Sequence, residues 1–236
     1  MNTETHDKLM GVSVATLATA LFKRGLRHQV IQGVNPIARK GRNMVGPAYT
    51  LRYMPAREDR NQLVEFRNPK HPQRVAIEEC PEGHVLVMDS RKSAAAASAG
   101  DILVTRLMIR GGAGIVTDGG FRDAATIATL DMPAYHTRPS SPTNLTTNEA
   151  IDLNVPIGCG DAPVFPGDII VGDDDCVIVI PAEIADEVAD EAVEMTAYEN
   201  FVLEQVKGGA TIIGLYPCTK DENQALFQQW RKQNSR

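Results

Sequence analysis

The chain has 236 residues, of which 43% are hydrophobic, and a formal net charge of −6 at pH 7. That length carries a substantial core, and the acidic balance excludes the basic face of a nucleic-acid-binding surface. No apolar run approaches the roughly 20 residues of a membrane span, and the polar start MNTETHDK lacks the apolar centre of a secretory signal, so a cytoplasmic protein is expected.

Ser13 has the chemistry of an N-cap for a helix reaching Lys23, because Val14, Leu17, Ala18 and Leu21 share one face and Gly25 ends the run. Val34-Asn35-Pro36 and Gly46-Pro47 then bracket a basic loop holding Arg39, Lys40 and Arg42. A solvated turn is the simpler reading of it, and attraction of an acidic substrate the sharper one. Ala48 to Tyr53 reads as a strand. Between Pro55 and Pro81 the chain is polar and irregular, with Leu63, Val64 and Phe66 available for burial. A helix inside an insertion-like loop is expected there, either as a plain surface excursion or as a cover over a site that helps to choose the substrate. His84 to Asp89 is the next strand. Lys92 follows in the polar run DSRKS, which offers none of the desolvation that a Schiff-base lysine needs.

The most informative stretch runs from Ala97 to Asp123, ASAGDILVTRLMIRGGAGIVTDGGFRD. Gly100-Asp101, the apolar positions Ile102, Leu103, Leu107 and Met108, and the stop Gly111-Gly112 predict a short amphipathic helix. Its first-turn amides lack intrahelical partners, so that end can hold an anion. Ala113 to Thr117 reads as a buried strand and Asp118-Gly119-Gly120 as the turn leaving it. Arg122 and Asp123 therefore fall just beyond a strand end, where ligands collect in open α/β sheets. Asp123 suits a hard divalent cation, Asp101 suits the water beside it, and Arg122 suits a carboxylate. The plain alternative is a surface Arg-Asp pair after a tight turn.

Ile127, Leu130 and Met132-Pro133 predict a short helix running into a strand around Ala134-Tyr135-His136. TRPSSPTN follows as a hydroxyl-rich loop, compatible with ligand contact or with ordinary turn chemistry. From Ala150 to Pro181 short apolar runs alternate with Gly, Pro and Asp, the pattern of a barrel or sandwich. Gly172-Asp173-Asp174-Asp175 reads as a tight hairpin, since it lacks the later Gly and Glu of a calcium loop. Pro181 starts a helix to about Lys207, with Ile184, Val188, Ala192 and Met195 on one face and carboxylates on the other. The tail from Ile212 carries the sole tryptophan, Trp230, placed to brace a subunit contact. The four cysteines and five histidines are scattered without metal-ligand spacing, so any metal is expected to have oxygen ligands.

Asp101, twenty intervening residues, and then Arg122-Asp123 within TDGGFRD resemble the pattern of the RraA-like family. NPIARKGRNMVGPAYTL, PEGHVLVMDS and VPIGCGDAPVFPGDIIVGDDDCVIVIP follow the family's order from about Ser13 to Gly209. The family's aldolase pattern has a glycine four residues before the first Asp, where this chain has Ala97. The resemblance implies an α/β fold of swivelling-domain type, a β/β/α core of mixed sheet and short barrel-like strands flanked by helices. It implies one catalytic domain over residues 1–211, followed by a C-terminal extension over 212–236. The family includes class II 4-hydroxy-4-methyl-2-oxoglutarate aldolases, which also decarboxylate oxaloacetate, and regulators of RNase E. The implied enzyme is a lyase using Mg²⁺ or Mn²⁺ on a 2-oxo acid. Asp123 would be its metal ligand, Arg122 and Asp101 its catalytic residues, and Gly100, Ile102, Leu103 and Arg122 its substrate-binding set. The resemblance further implies a homotrimer or dimer of trimers, in which a glutamate of the last helix, Glu199 or else Glu204, completes the metal surroundings of a neighbouring subunit. No nucleic acid or membrane partner is expected. Inhibition of RNase E without catalysis is the alternative activity.

Overall fold

The computed structural model describes residues 1–234. Helices α1 (Thr3–Met10) and α2 (Val14–Lys23) open the chain, followed by strands β1 (Asn35–Pro36) and β2 (Met44–Pro55). Next come α3 (Pro72–Glu79), β3 (Val85–Asp89), β4 (Ala97–Ala99), α4 (Asp101–Ile109), β5 (Gly114–Thr117), β6 (Gly120–Phe121), α5 (Ala124–Thr129) and β7 (Ala134–His136). The strands β8 (Arg138–Pro139), β9 (Asn148–Leu153), β10 (Ile157–Cys159), β11 (Ala162–Val164), β12 (Ile169–Gly172) and β13 (Val177–Ile180) lead to the long α6 (Ala185–Lys207) and to α7 (Asp221–Asn234).

An eight-stranded mixed sheet in the order β1-β7-β5-β3-β2-β12-β13, with β9 added to β2, curls into a nearly closed barrel. Its two ends are drawn together by the segment before β1. Ile31 N donates to Val177 O at 2.9 Å and Val30 bridges Ile178, while Asn35 pairs with His136 on the opposite edge. Both faces of the sheet are covered, so its strands are continuously apolar. Val85, Val87, Val116, Ile170, Val177 and Val179 point inward and meet the β10–β11 hairpin. Their alternate neighbours point outward. Leu86, Met88 and Ile115 pack under α3, α4 and α5, and Ile169, Val171, Ile178 and Ile180 pack under α1, α2 and α6.

The fold corrects several sequence expectations. Gly46-Pro47 lies inside β2 and does not end a loop, because β2 changes partners there. Residues 44–47 pair with β12, and Ala48 to Arg52 run parallel to β3. A Cβ at Gly46 would stand 2.3 Å from Gly83 O, so the glycine serves a close backbone approach. Helix α1 has little apolar signal in the sequence, since only Thr5 and Leu9 of it are buried, and Asn2 caps it by accepting from Thr5 N at 2.8 Å. The polar first half of β9 is equally weak in the sequence. The basic loop is structural. Lys40 Nζ donates to Ala128 O in the last turn of α5 and to Leu130 O just beyond it, and Arg42 pairs with Asp131. Trp230 braces α7 against α6 of its own chain, packing on Phe201 and Phe227 and donating to Glu204 Oε2 at 2.6 Å. Among the described residues no helix is long and apolar enough to cross a membrane.

Candidate active site

Strands β2, β3, β5 and β7 run parallel, and a small three-stranded parallel sheet, β4-β6-β8, forms beyond the ends of β3 and β5. The pairs Ala97 with Gly120 and Ala99 with Phe121, and the bond from Arg122 N to Ala99 O at 3.0 Å, set the ends of β4 and β6 side by side. Asp101 follows β4 and Arg122-Asp123 follows β6. The twenty residues between them form one excursion, out along α4 and back along β5. Parallel pairing therefore converts that sequence spacing into proximity.

Gly100 is the N-cap of α4 and supplies no side chain to its amides. A Cβ there would lie 2.7 Å from Arg122 Cγ and 3.0 Å from Asp123 Oδ2, so the glycine leaves the room in which Arg122 crosses the helix end. Ile102 N donates to Asp101 Oδ1 at 2.8 Å. One first-turn amide is thus engaged by the chain's own carboxylate, while Leu103 lines the same cleft. Arg122 Nε donates to Asp123 Oδ2 at 3.1 Å, with both side chains substantially exposed. Asp123 has φ 56°, a left-handed conformation that Asp tolerates better than most residues.

These groups line a cleft of about 210 Å³. Its lining also includes Phe66, Gln73 and Arg74 from the 55–81 segment, and Thr143 and Asn144 from the TRPSSPTN loop. The segment is therefore a wall of the site, beyond a plain surface excursion. Buried Gln73 fastens it by donating to Ser98 O at 2.6 Å, an acceptor shared with Tyr53 Oη at 2.9 Å. None of these five wall residues stands out in the sequence as a site residue. The hydroxyl-rich loop and the single aromatic of a polar segment are the available signals, and neither has a fixed spacing from Asp101.

Buried Asp118, which reads in the sequence as part of a turn, holds the scaffold. It accepts from Ser90 N at 2.6 Å, Lys92 N at 3.0 Å and Gly160 N at 3.2 Å. Burial raises its pKa above the usual carboxylate value, against the pull of those amides. Phe121, next to Arg122, stacks on His136 at 5.7 Å. Burial pushes that imidazole down to about 4, which keeps the ring neutral at physiological pH. Lys92 is exposed and paired with Asp161, in keeping with its polar surroundings.

The RraA-like (Aldolase/RraA) family model matches residues 14–179. The chain belongs to the RraA-like family. Among relatives, a Halalkalibacterium halodurans protein named "Putative 4-hydroxy-4-methyl-2-oxoglutarate aldolase" is 38% identical over 106 residues, 45% of this chain and 50% of that protein. Protein DlpA of Legionella pneumophila is 25% identical over 206 residues, 87% of this chain and 32% of DlpA. The chain thus spans half or less of the length of these two relatives. Among solved structures, Streptomyces coelicolor RraAS2, described as an unusual member of the RNase ES inhibitor RraA protein family, superposes with a TM-score of 0.74 at 32% identity. That match covers 85% of this chain and 96% of RraAS2.

In this RraA-like chain the donors near Asp123 are oxygens, with Asp101, Thr143 and Asn144 in the same cleft. Among the described residues no group of three or more His, Cys, Asp or Glu side chains clusters to hold an ion. Two carboxylates with room for water and substrate oxygens nevertheless fit Mg²⁺ or Mn²⁺, which are commonly held by one or two carboxylates. Neither Glu199 nor Glu204 lines this cleft within the chain. Glu199 accepts from Thr16 Oγ1 at 2.8 Å and Tyr216 Oη at 3.2 Å, and Glu204 is engaged by Trp230.

Proposed function

We propose that this RraA-like chain is a divalent-metal-dependent carbon–carbon lyase, cleaving a 4-hydroxy-2-oxo acid to pyruvate and a carbonyl product and decarboxylating oxaloacetate. The observation that carries this reading is the meeting of Asp101, Arg122 and Asp123 at the N-terminus of α4, in a cleft with no lysine among its described walls. Asp123 would hold the Mg²⁺ or Mn²⁺ ion, with Asp101 beside it. When bound, the ion supplies Lewis-acid polarisation of the 2-oxo group. Arg122 stands where its positive charge offsets the charge that develops on the pyruvate enolate. The first turn of α4, from Gly100 through Ile102 and Leu103, receives the substrate carboxylate. There the helix dipole favours an anion, while the Ile102 amide itself is taken up by Asp101 Oδ1 and is not among the donors. Asp101, anchored by the Ile102 amide, holds and moves the proton through a water.

The aldolase name given to the H. halodurans relative supports the same reaction class. Pyruvate release from oxaloacetate and from 4-hydroxy-4-methyl-2-oxoglutarate tests it. Turnover is expected to vanish in EDTA and return with Mg²⁺ or Mn²⁺, and full activity in excess EDTA would overturn the assignment. A second reading, inhibition of an RNase E-type ribonuclease, draws on the likeness to RraAS2. Because Glu199 lies outside the cleft of its own chain, we further propose a homotrimer or dimer of trimers in which it reaches a neighbour's Asp123.

A further inference from the structure

We propose that Arg74 binds the distal carboxylate of a dicarboxylic 2-oxo acid, and so selects dicarboxylic over monocarboxylic ligands in the cleft. The inference rests on the reading of that cleft as a 2-oxo acid site.

Arg74 lies on α3 and lines the same cleft as the first turn of α4, Arg122 and Asp123. Its guanidinium carbon stands 4.8 Å from the centroid of the Phe66 ring, and His71 packs edge-on against the same ring at 5.5 Å. The neighbouring residue Gln73 is bonded to Ser98 O of β4, so the backbone carrying Arg74 is fixed to the strand that leads into Asp101. A guanidinium lying on an aromatic face keeps its charge and its planar fork, and leaves its edge free to donate.

The chain has 30 acidic residues, yet among the described residues no salt bridge involves Arg74, and its buried Nε has no hydrogen-bond partner. The other arginine of the cleft, Arg122, is engaged with Asp123. Arg74 is thus a half-buried cation on the cleft wall with no carboxylate among the described residues paired to it, open to a carboxylate that the cleft receives. With one carboxylate and the 2-oxo group directed to α4 and Arg122, a second carboxylate at the far end of the ligand meets Arg74. A bidentate carboxylate fits the fork better than a hydroxyl or an alkyl end would.

The test compares two unreactive ligands, 2-oxoglutarate and 2-oxobutyrate, by calorimetry in the presence of Mn²⁺. It also compares kcat/KM for 4-hydroxy-4-methyl-2-oxoglutarate and 4-hydroxy-2-oxopentanoate, in the parent chain, Arg74→Gln and Arg74→Lys. The parent is expected to bind 2-oxoglutarate about 30-fold more tightly than 2-oxobutyrate, a typical effect for one charged hydrogen-bonded contact. Arg74→Gln should bring the two Kd values together while leaving that of 2-oxobutyrate unchanged, and Arg74→Lys should retain part of the preference. The kcat/KM ratio should fall in parallel. Discrimination surviving in Arg74→Gln, an equal loss for both ligands, or a parent chain that binds neither or both alike overturns the proposal. A parent that discriminates in binding but releases no pyruvate would defeat the lyase reading and leave the role of Arg74 standing.

Discussion

Arg122 and Asp123 show how much the types and position of two residues can disclose. Their place after the strand that ends in Thr117 identifies a charged pair at a strand end, and the structure sets that pair in a cleft with Asp101. What the pair cannot disclose is its conformation. Asp123 is left-handed, and the guanidinium of Arg122 passes over Gly100. Asp118 shows the converse. Its carboxylate holds three amides from two separate segments, partners brought together by the fold and without local pattern. For Arg122 the proposed role depends on the planar fork. Arg122→Lys keeps the charge and loses the alignment, so kcat/KM is expected to fall by about 2–4 kcal/mol with little change in Tm. Steady-state kinetics beside a melting curve checks this, and parent-like kinetics would place the substrate carboxylate elsewhere.

Among the elements, those with a strong period and clear ends are legible in the sequence. Helices α2 and α4, the strand pair β12–β13 and the long α6 follow from apolar spacing and from capping or terminal Gly residues. Elements whose stability comes from partners are not. Strand β9 pairs with β2 and buries only Asn148 and Ala150, and α1 buries only two residues. The Gly46-Pro47 dipeptide carries the local signal of a turn, and strand pairing overrides it. At the N-terminus of α4, Gly100 has φ −129°, which any residue can adopt, so its glycine character is a matter of space and not of backbone strain. Gly100→Ala would push aside the flexible Arg122 side chain without opening the core. The fold should hold, with Tm within a few degrees of the parent, while kcat/KM falls by about 10- to 100-fold from misplacement of the guanidinium. Loss of the fold, or unchanged kinetics, would contradict this account of the helix end.

At the scale of the molecule, the α/β class with barrel-like strands is legible because the apolar runs of β3, β5, β12 and β13 announce a sheet buried on both faces. Closure of that sheet is not. It depends on residues 29–36 bridging β13 and β7, contacts between segments more than 90 residues apart. The same closure brings the ends of the parallel strands to one rim, and there the β4-β6-β8 sheet carries the cleft. The proposed assembly adds an acidic group that a single chain holds outside its own cleft, Glu199.

Under the proposed function, chemistry takes place at this rim, with Asp123 as the metal ligand. Asp123→Asn tests it most directly, since Asn also tolerates the left-handed backbone that Ala would strain. Pyruvate release from oxaloacetate at saturating Mn²⁺ should fall by about 10²- to 10³-fold in Asp123→Asn, with the melting temperature unchanged. Parent-like pyruvate release by the folded variant would contradict the account.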